Sequence, residues 1–248
     1  MYFQKSLIGL CLAIFLFIAC NKDNTSDASS VSTGTGGSLA RFTIVGNYLY
    51  LADHFTLKPV DISNPQSPVA KPEIPVGFEV ETIFPYEDKL FIGSTQGMFV
   101  YSLSNPAAPS KLGGVVHIRS CDPVVANDSV AYSTLHGGTR CGPAESGLYI
   151  YNVKTVTNPL LVKLLPLTTP YGLGLKDSIV FVCRGANGLS AIKIKDPANP
   201  VVMYTKTDGN YMDVIPYQDM LICYVKTGII IYDASNPANI VKVGTVNY

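Results

Sequence analysis

The 248-residue chain has no tryptophan, three histidines and few charges: Asp, Glu, Lys and Arg make up 15% of it, with 18 basic side chains against 18 acidic ones. So few charges exclude a disordered polyelectrolyte, which needs low hydrophobicity and a large net charge. The missing basic excess argues against nucleic acid as a partner. Apolar residues never recur at helical spacing, so helices are not needed to account for the sequence. No apolar run reaches the roughly 20 residues that carry a helix across a bilayer. What the chain does have is 47% hydrophobic residues, 15 Tyr, 10 Phe, 21 Gly and 17 Pro. That composition favours a β-rich, turn-rich protein, and the length suits one large domain or two small ones.

The N-terminus is set apart by Lys5 followed by an apolar run from Leu7 to Ala19. It has the layout of a signal peptide over residues 1–19. The run ends in Leu16-Phe17-Ile18-Ala19-Cys20, which resembles the lipobox of bacterial lipoproteins, with Phe17 where that family usually has Leu. The resemblance implies acylation of Cys20 and anchoring of the mature chain to the outer membrane. An ordinary signal peptide cut nearby, or an uncleaved anchor, is the alternative. Asn21-Lys22-Asp23-Asn24 is similar to the short Lys-acidic signal of surface-exposed lipoproteins, and the periplasmic side is the other address. Residues 20–38 read as a flexible tether, rich in Ser, Thr, Asn, Asp and Gly. Loss of residues 1–19 removes one Lys and no acid, leaving 17 basic against 18 acidic side chains, a formal charge of −1. Long-range charge therefore selects no partner.

The remainder is repetitive. An apolar run enters a Pro-containing turn at Leu57-Lys58-Pro59-Val60-Asp61-Ile62-Ser63-Asn64-Pro65 and again at Met98-Phe99-Val100-Tyr101-Ser102-Leu103-Ser104-Asn105-Pro106. Further copies run from Leu148 to Val153, from Leu189 to Pro197 and from Ile229 to Pro237. Upstream of each stands a polar turn leading into alternating apolar residues, at Asn47, Asp88, Asp128, Asp177 and Asp219, spaced 41, 40, 49 and 42 residues apart. Each unit reads as four short strands with breakers every 8 to 12 residues. A β-helix repeats at a shorter period and a sandwich does not repeat five times. The expected fold is all-β, a five-bladed β-propeller of four-stranded antiparallel blades over 39–248, with blades at about 39–77, 78–118, 119–168, 169–209 and 210–248.

The strand-and-turn element resembles the LVIVD repeat, found in bacterial and archaeal cell-surface proteins. Asn152 and Lys193 depart from its Asp in the third and fourth copies. The resemblance implies architecture and a surface location and lends no biochemical activity. Two features of the sequence bear directly on this fold. Pro59 removes a ladder donor, so the first blade should be least regular there. No strand is left over to stitch the last blade to the first, so the ring closes through side chains or through a strand from residues 31–37.

In this strand order the connections between second and third strands, and between blades, share one face. Blade three carries a long excursion there, Thr134 to Gly147, which holds His136 and Arg140; His54 lies at the equivalent place in blade one. Arg41, Thr82, Asp122, Tyr171 and Asp213 begin the innermost strands and should reach the channel mouth. Two carboxylates near an Arg and a Tyr could grip a polar ligand or sugar; the alternative is a hydrated rim. Asp122 and Asp213 are the only matched acids for glycosidase chemistry, and they stand in non-adjacent blades. Close ligand spacing is lacking, so neither a metal site nor a cofactor is expected.

Of the four cysteines beyond Cys11 and Cys20, Cys121 and Cys141 both fall on that face, and a disulfide between them would staple the excursion. Cys183 and Cys223 stand on second strands of neighbouring blades, too far apart to bridge. Asp128-Ser129-Val130 and Asp177-Ser178-Ile179 resemble bacterial O-glycosylation sites but also suit tight turns. The leading expectation is a monomeric, membrane-anchored lipoprotein whose propeller binds or scaffolds a protein or glycan. A hydrolase or lyase acting on extracellular glycans at the channel mouth is the alternative.

Overall fold

The computed structural model describes residues 36–116, 123–137 and 145–248. Among them every element is a strand, and the strands form five antiparallel sheets in chain order, the blades of a five-bladed β-propeller. Blade one comprises β1 (Phe42–Val45), β2 (Tyr48–Asp53), β3 (Thr56–Asp61), β4 (Val69–Ala70) and β5 (Ile74–Pro75). Blade two is β6 (Val80–Tyr86), β7 (Lys89–Ser94), β8 (Gly97–Ser102) and β9 (Ser110–Val116). Blade three is β10 (Val124–Ala126), β11 (Val130–Leu135), β12 (Gly147–Asn152) and β13 (Leu160–Pro166). Blade four is β14 (Leu173–Lys176), β15 (Ile179–Cys183), β16 (Leu189–Lys193) and β17 (Val201–Lys206), and blade five is β18 (Tyr211–Tyr217), β19 (Met220–Val225), β20 (Gly228–Asp233) and β21 (Val241–Asn247).

Local chemistry explains why the repeat has the letters it has. The Asp that closes the apolar run turns its carboxylate back on the chain: Asp61 Oδ1 accepts from the Ser63 N–H at 3.0 Å and Asp233 Oδ1 from Ser235 at 2.8 Å. Asn152 does the same for Lys154, and Ser102 serves Ser104 through its hydroxyl. One step on, Asn64, Asn105, Asp196 and Asn236 accept the N–H two residues later, the side-chain-to-backbone bond that favours Asn and Asp in turns. The motif thus encodes two successive turns that throw the chain from third to fourth strand.

The hairpins joining first and second strands have two-residue turns, Gly46-Asn47, Glu87-Asp88, Asp128-Ser129, Asp177-Ser178 and Gln218-Asp219. The carbonyls that accept from the far end of the third strand are those of Asn47, Asp88, Ser129, Ser178 and Asp219. This corrects the sequence alignment by one residue in blades three and four: Asp128 and Asp177 match Glu87, not Asp88. Both acidic residues lead their turns, so their Asp-Ser pairs are explained by hairpin geometry.

In blades two to five the fourth strand carries a bulge at one fixed place, opposite Val100/Tyr101, Ile150/Tyr151, Ala191/Ile192 and Ile231/Tyr232. Bulges of this kind, together with Lys111, Lys163, Lys206 and Lys242 on these strands, blunt the exposed outer edges. Blade one departs as Pro59 predicts. Its outer ladder breaks into two short pieces, β4 and β5, with Lys71 N–H on the Pro59 carbonyl.

Blades pack face to face through apolar cores. Tyr50, Leu57, Ile83 and Leu90 join blades one and two; Phe91, Met98, Val124 and Ala131 join two and three. Leu148, Ile150, Leu173 and Val180 join three and four; Phe181, Leu189, Val214 and Leu221 join four and five. Cys183 and Cys223 are free, buried thiols in this last core, and burial pushes both up, that of Cys223 to about 12. Cys121 and Cys141 lie outside the described residues.

No comparable core joins blade five to blade one among the described residues. At one position of the innermost strand, Ile83, Val124, Leu173 and Val214 are buried against the preceding blade, whereas Phe42 is 62% exposed. On blade five Tyr224 is 48% exposed, and Ile222, Ile229 and Ile231 are half-buried. Ring closure is neither side-chain packing nor an added strand among the described residues. Instead the segment Gly36–Ala40 reaches three other blades. Ser38 Oγ donates to Asp213 of blade five at 3.1 Å and accepts the Leu173 N–H of blade four at 2.7 Å, while the Ala40 carbonyl accepts the Ile83 N–H of blade two at 2.8 Å.

Candidate functional site

The positions singled out by sequence separate into those the fold gathers and those it scatters. Arg41 is exposed and approaches Glu81 of blade two at 3.7 Å. Thr82 is buried in β6, beside a register shift like the one before Asp213 in β18. His54 occupies the turn between β2 and β3 with φ 47° and lies 3.8 Å from Glu79. Asp122 and Arg140 lie outside the described residues. Tyr171, His136 and Asp213 remain: His136 just past the second strand of blade three, and Tyr171 and Asp213 at the innermost strands of blades four and five.

Asp213 sits where the backbones of two blades and the crossing segment converge. A Cβ on Gly37 or on Gly172 would fall 2.1 Å from one or other of its carboxylate oxygens, so only hydrogen at both positions leaves room for it. Its Oδ1 accepts from Ser38 Oγ and from the Val214 N–H at 2.9 Å. Burial nonetheless pushes its carboxyl up to about 6, against the lowering effect of those bonds. The residue expected to project into the channel mouth is instead engaged by the chain's own N-terminal segment.

Beside it, Tyr171 begins the approach to β14. Its ring meets the edge of His136 with centroids 5.1 Å apart, and its carbonyl accepts from Thr134 Oγ1. The same ring lies against Gly185, where a Cβ would stand 2.9 Å from it. Gly185 belongs to the turn between β15 and β16, closed by Arg184 N–H to the Gly188 carbonyl at 2.8 Å and by Asn187 N–H to the Arg184 carbonyl at 2.9 Å. The Gly185 backbone pairs with Tyr211 of blade five.

This turn is cross-braced to the connection before blade four. Arg184 donates from Nε to the Thr168 carbonyl at 3.2 Å, from Nη2 to Thr168 Oγ1 at 2.6 Å and from Nη1 to Ser190 Oγ at 3.2 Å. Asn187 Nδ2 donates to Thr169 Oγ1 at 2.8 Å, and that hydroxyl donates to the Arg184 carbonyl at 3.0 Å. Thr169 pays for its place with φ 48°, a left-handed backbone that a β-branched residue rarely adopts. His136, Tyr171, Arg184 and Asn187 thus form a polar and aromatic corner on the face that holds the longest connections. Sequence reasoning missed Arg184, Asn187, Thr169 and Ser38. The available signal was Arg184 itself, a charge ending the apolar run Ile179 to Cys183 where the other second strands end in neutral or acidic residues. Among the described residues no cluster of His, Cys, Asp and Glu could hold a metal ion.

Five four-stranded blades around an axis define a β-propeller. Residues 36–73 match the LVIVD repeat family model, and the same strand-and-turn motif recurs in phase in the later blades of the propeller. Solved structures similar to it include a periplasmic gluconolactonase of Pseudomonas aeruginosa, at 12% identity and TM-score 0.62 over 82% of this chain and 68% of that one. A functionally unknown protein from Desulfotomaculum acetoxidans matches at 12% identity and TM-score 0.60 over 81% and 66%. The computationally designed Ika8 protein matches at 13% identity and TM-score 0.58 over 81% of this chain and 59% of its own length. These likenesses show the fold alone, and the chain spans less than two thirds of the length of the Ika8 and Desulfotomaculum acetoxidans proteins, 59% and 66%. No curated protein matches the chain.

Proposed function

We propose that the protein is a membrane-anchored lipoprotein whose propeller binds or scaffolds a protein or glycan on the face holding His136, Tyr171, Arg184 and Asn187. The observation that carries this reading is the contrast between two neighbouring places. The channel mouth, where a catalytic pair would work, is crossed by Gly36–Ala40, and Asp213 there is hydrogen-bonded to Ser38. The corner beside it presents an aromatic ring, an amide and a guanidinium held in fixed positions, the kind of polar groups that orient a ligand. The alternative, a hydrolase or lyase acting on extracellular glycans at that mouth, draws on Asp213, whose carboxyl at about 6 suits a general acid.

The two readings separate in one set of measurements on the full chain. Tyr171→Ala combined with Asn187→Ala should abolish retention of ligand from an array of extracellular glycans and surface proteins, with thermal unfolding unchanged. Undiminished retention would count against this face. Loss of glycan turnover in Asp213→Asn, with the fold intact, would establish the hydrolase instead.

Anchoring has its own expected outcome. In cells grown with labelled palmitate, the wild-type chain should carry label and sediment with membranes. Cys20→Ala should carry none and move to the soluble fraction; an unlabelled wild-type chain would refute the anchor.

A further inference from the structure

Within that binding face, and resting on the reading just given, we infer that the corner built on Arg184 recognises a carboxylate, and that the ligand class is an acidic, uronate-bearing glycan. Arg184 is half-buried, and all three of its hydrogen bonds go to neutral oxygens: the Thr168 carbonyl, Thr168 Oγ1 and Ser190 Oγ. It forms no ion pair with any described carboxylate. A guanidinium has five N–H donors. The three bonds draw one from Nε, one from Nη1 and one from Nη2, which leaves one N–H on each terminal nitrogen. Two remaining donors on one rigid fork match the two oxygens of a carboxylate.

Three bonds to neutral oxygens fix the guanidinium in place and leave its charge without a countercharge among the described residues. Here the side chain is fixed at three points, its turn is braced by Asn187 and Thr169, and Thr169 is kept in a left-handed backbone to do so. The rest of the corner suits a sugar ring. Tyr171 offers an aromatic surface beside Gly185, and the Asn187 amide and the Thr168 and Thr169 hydroxyls offer partners for ring hydroxyls. Asp213 and Asp208 do not supply the missing countercharge. Asp213 is bonded to Ser38 and Val214, and Asp208 accepts from the hydroxyls of Tyr211 at 2.6 Å and Tyr232 at 2.7 Å and faces Lys242.

Calorimetric titration of the full chain with trigalacturonate, and with the same trisaccharide after reduction of its carboxyl groups, tests this. The acidic form should bind at least tenfold more tightly than the reduced one. Arg184→Gln should remove that advantage, and Arg184→Lys, which keeps the charge and loses the fork, should fall between. If Arg184→Gln fails to fold, the ratio between the acidic and reduced sugars on the wild-type chain decides alone. Equal affinity for the two sugars would overturn the inference while leaving a glycan-binding face in place. Binding of neither would also overturn it; the broader reading falls only if the Tyr171 and Asn187 variant also leaves capture of protein partners unchanged.

Discussion

Gly97→Ala is expected to cost the fold on the order of 4 kcal/mol, combining a backbone region that is nearly glycine-only with forced overpacking. Gly97 opens the third strand of blade two at φ 149°, and an added Cβ would lie 2.0 Å from the Val115 carbonyl oxygen and 3.0 Å from Val116 Cα. Those atoms belong to the outer strand paired with it, so relief requires peeling that strand from its ladder. Gly228 stands at the same point of blade five, with φ 148° and Val246 O 1.9 Å from the added atom. Urea unfolding supplies the measure, as a lower midpoint with an unchanged slope. Gly46→Ala is the control: its φ is 56° with nothing within 4 Å, so it should lose only about 1 kcal/mol. Equal losses at Gly46 and Gly97 would show that the overlap with the outer strand is not what fixes glycine before the third strand.

Asp213→Asn should change how stability depends on pH. The folded carboxyl stands at about 6 and the unfolded one near 3.9. Because the folded pKa is the higher, the folded chain holds the proton more tightly. The resulting stabilisation is fully present below about pH 3.9 and is lost as pH rises through about 6. Above that, the wild-type chain carries a half-buried charge that asparagine does not. The variant's stability relative to wild type should therefore rise by about 2 kcal/mol between pH 4 and pH 8, whatever constant offset the lost hydrogen bonds introduce. Denaturant unfolding at a series of pH values reads this directly. A difference that stays flat across the range, or that falls with pH, would place the charge of Asp213 in water.

The blades were legible because each repeat contains its own instructions. The Asp and Asn of the motif bond to N–H groups two residues away, and the two-residue hairpins close on neighbours, so both leave a local mark in the sequence. The irregularity at Pro59 was legible for the same reason: a missing N–H is a property of one residue. The candidate site was only partly legible. Tyr171, His136 and Asp213 stood out as polar residues near strand ends, but Thr82 did too, and it is buried although it stands beside the same register shift in β6 that Asp213 has in β18. Asp213 is enclosed by Gly37, Ser38 and Gly172, up to 176 residues away in sequence, and nothing local announces that. Arg184 acquires its meaning from Thr168 and Ser190 across a turn and a connection. The state of the last interface was equally hidden, since Phe42 and Ile44 are as apolar as the residues that face a neighbour.

That last interface has a consequence for how the chain folds and comes apart. With four packed joints and none between the ends among the described residues, the blades are coupled there as a line of neighbours rather than as a circle. In a linear array, stability is close to a sum of unit and nearest-neighbour contributions, and units with a single neighbour are the first to open. Blades one and five are those units. The crossing segment, tied to blades two, four and five by hydrogen bonds, is what lends the two ends a shared cooperativity.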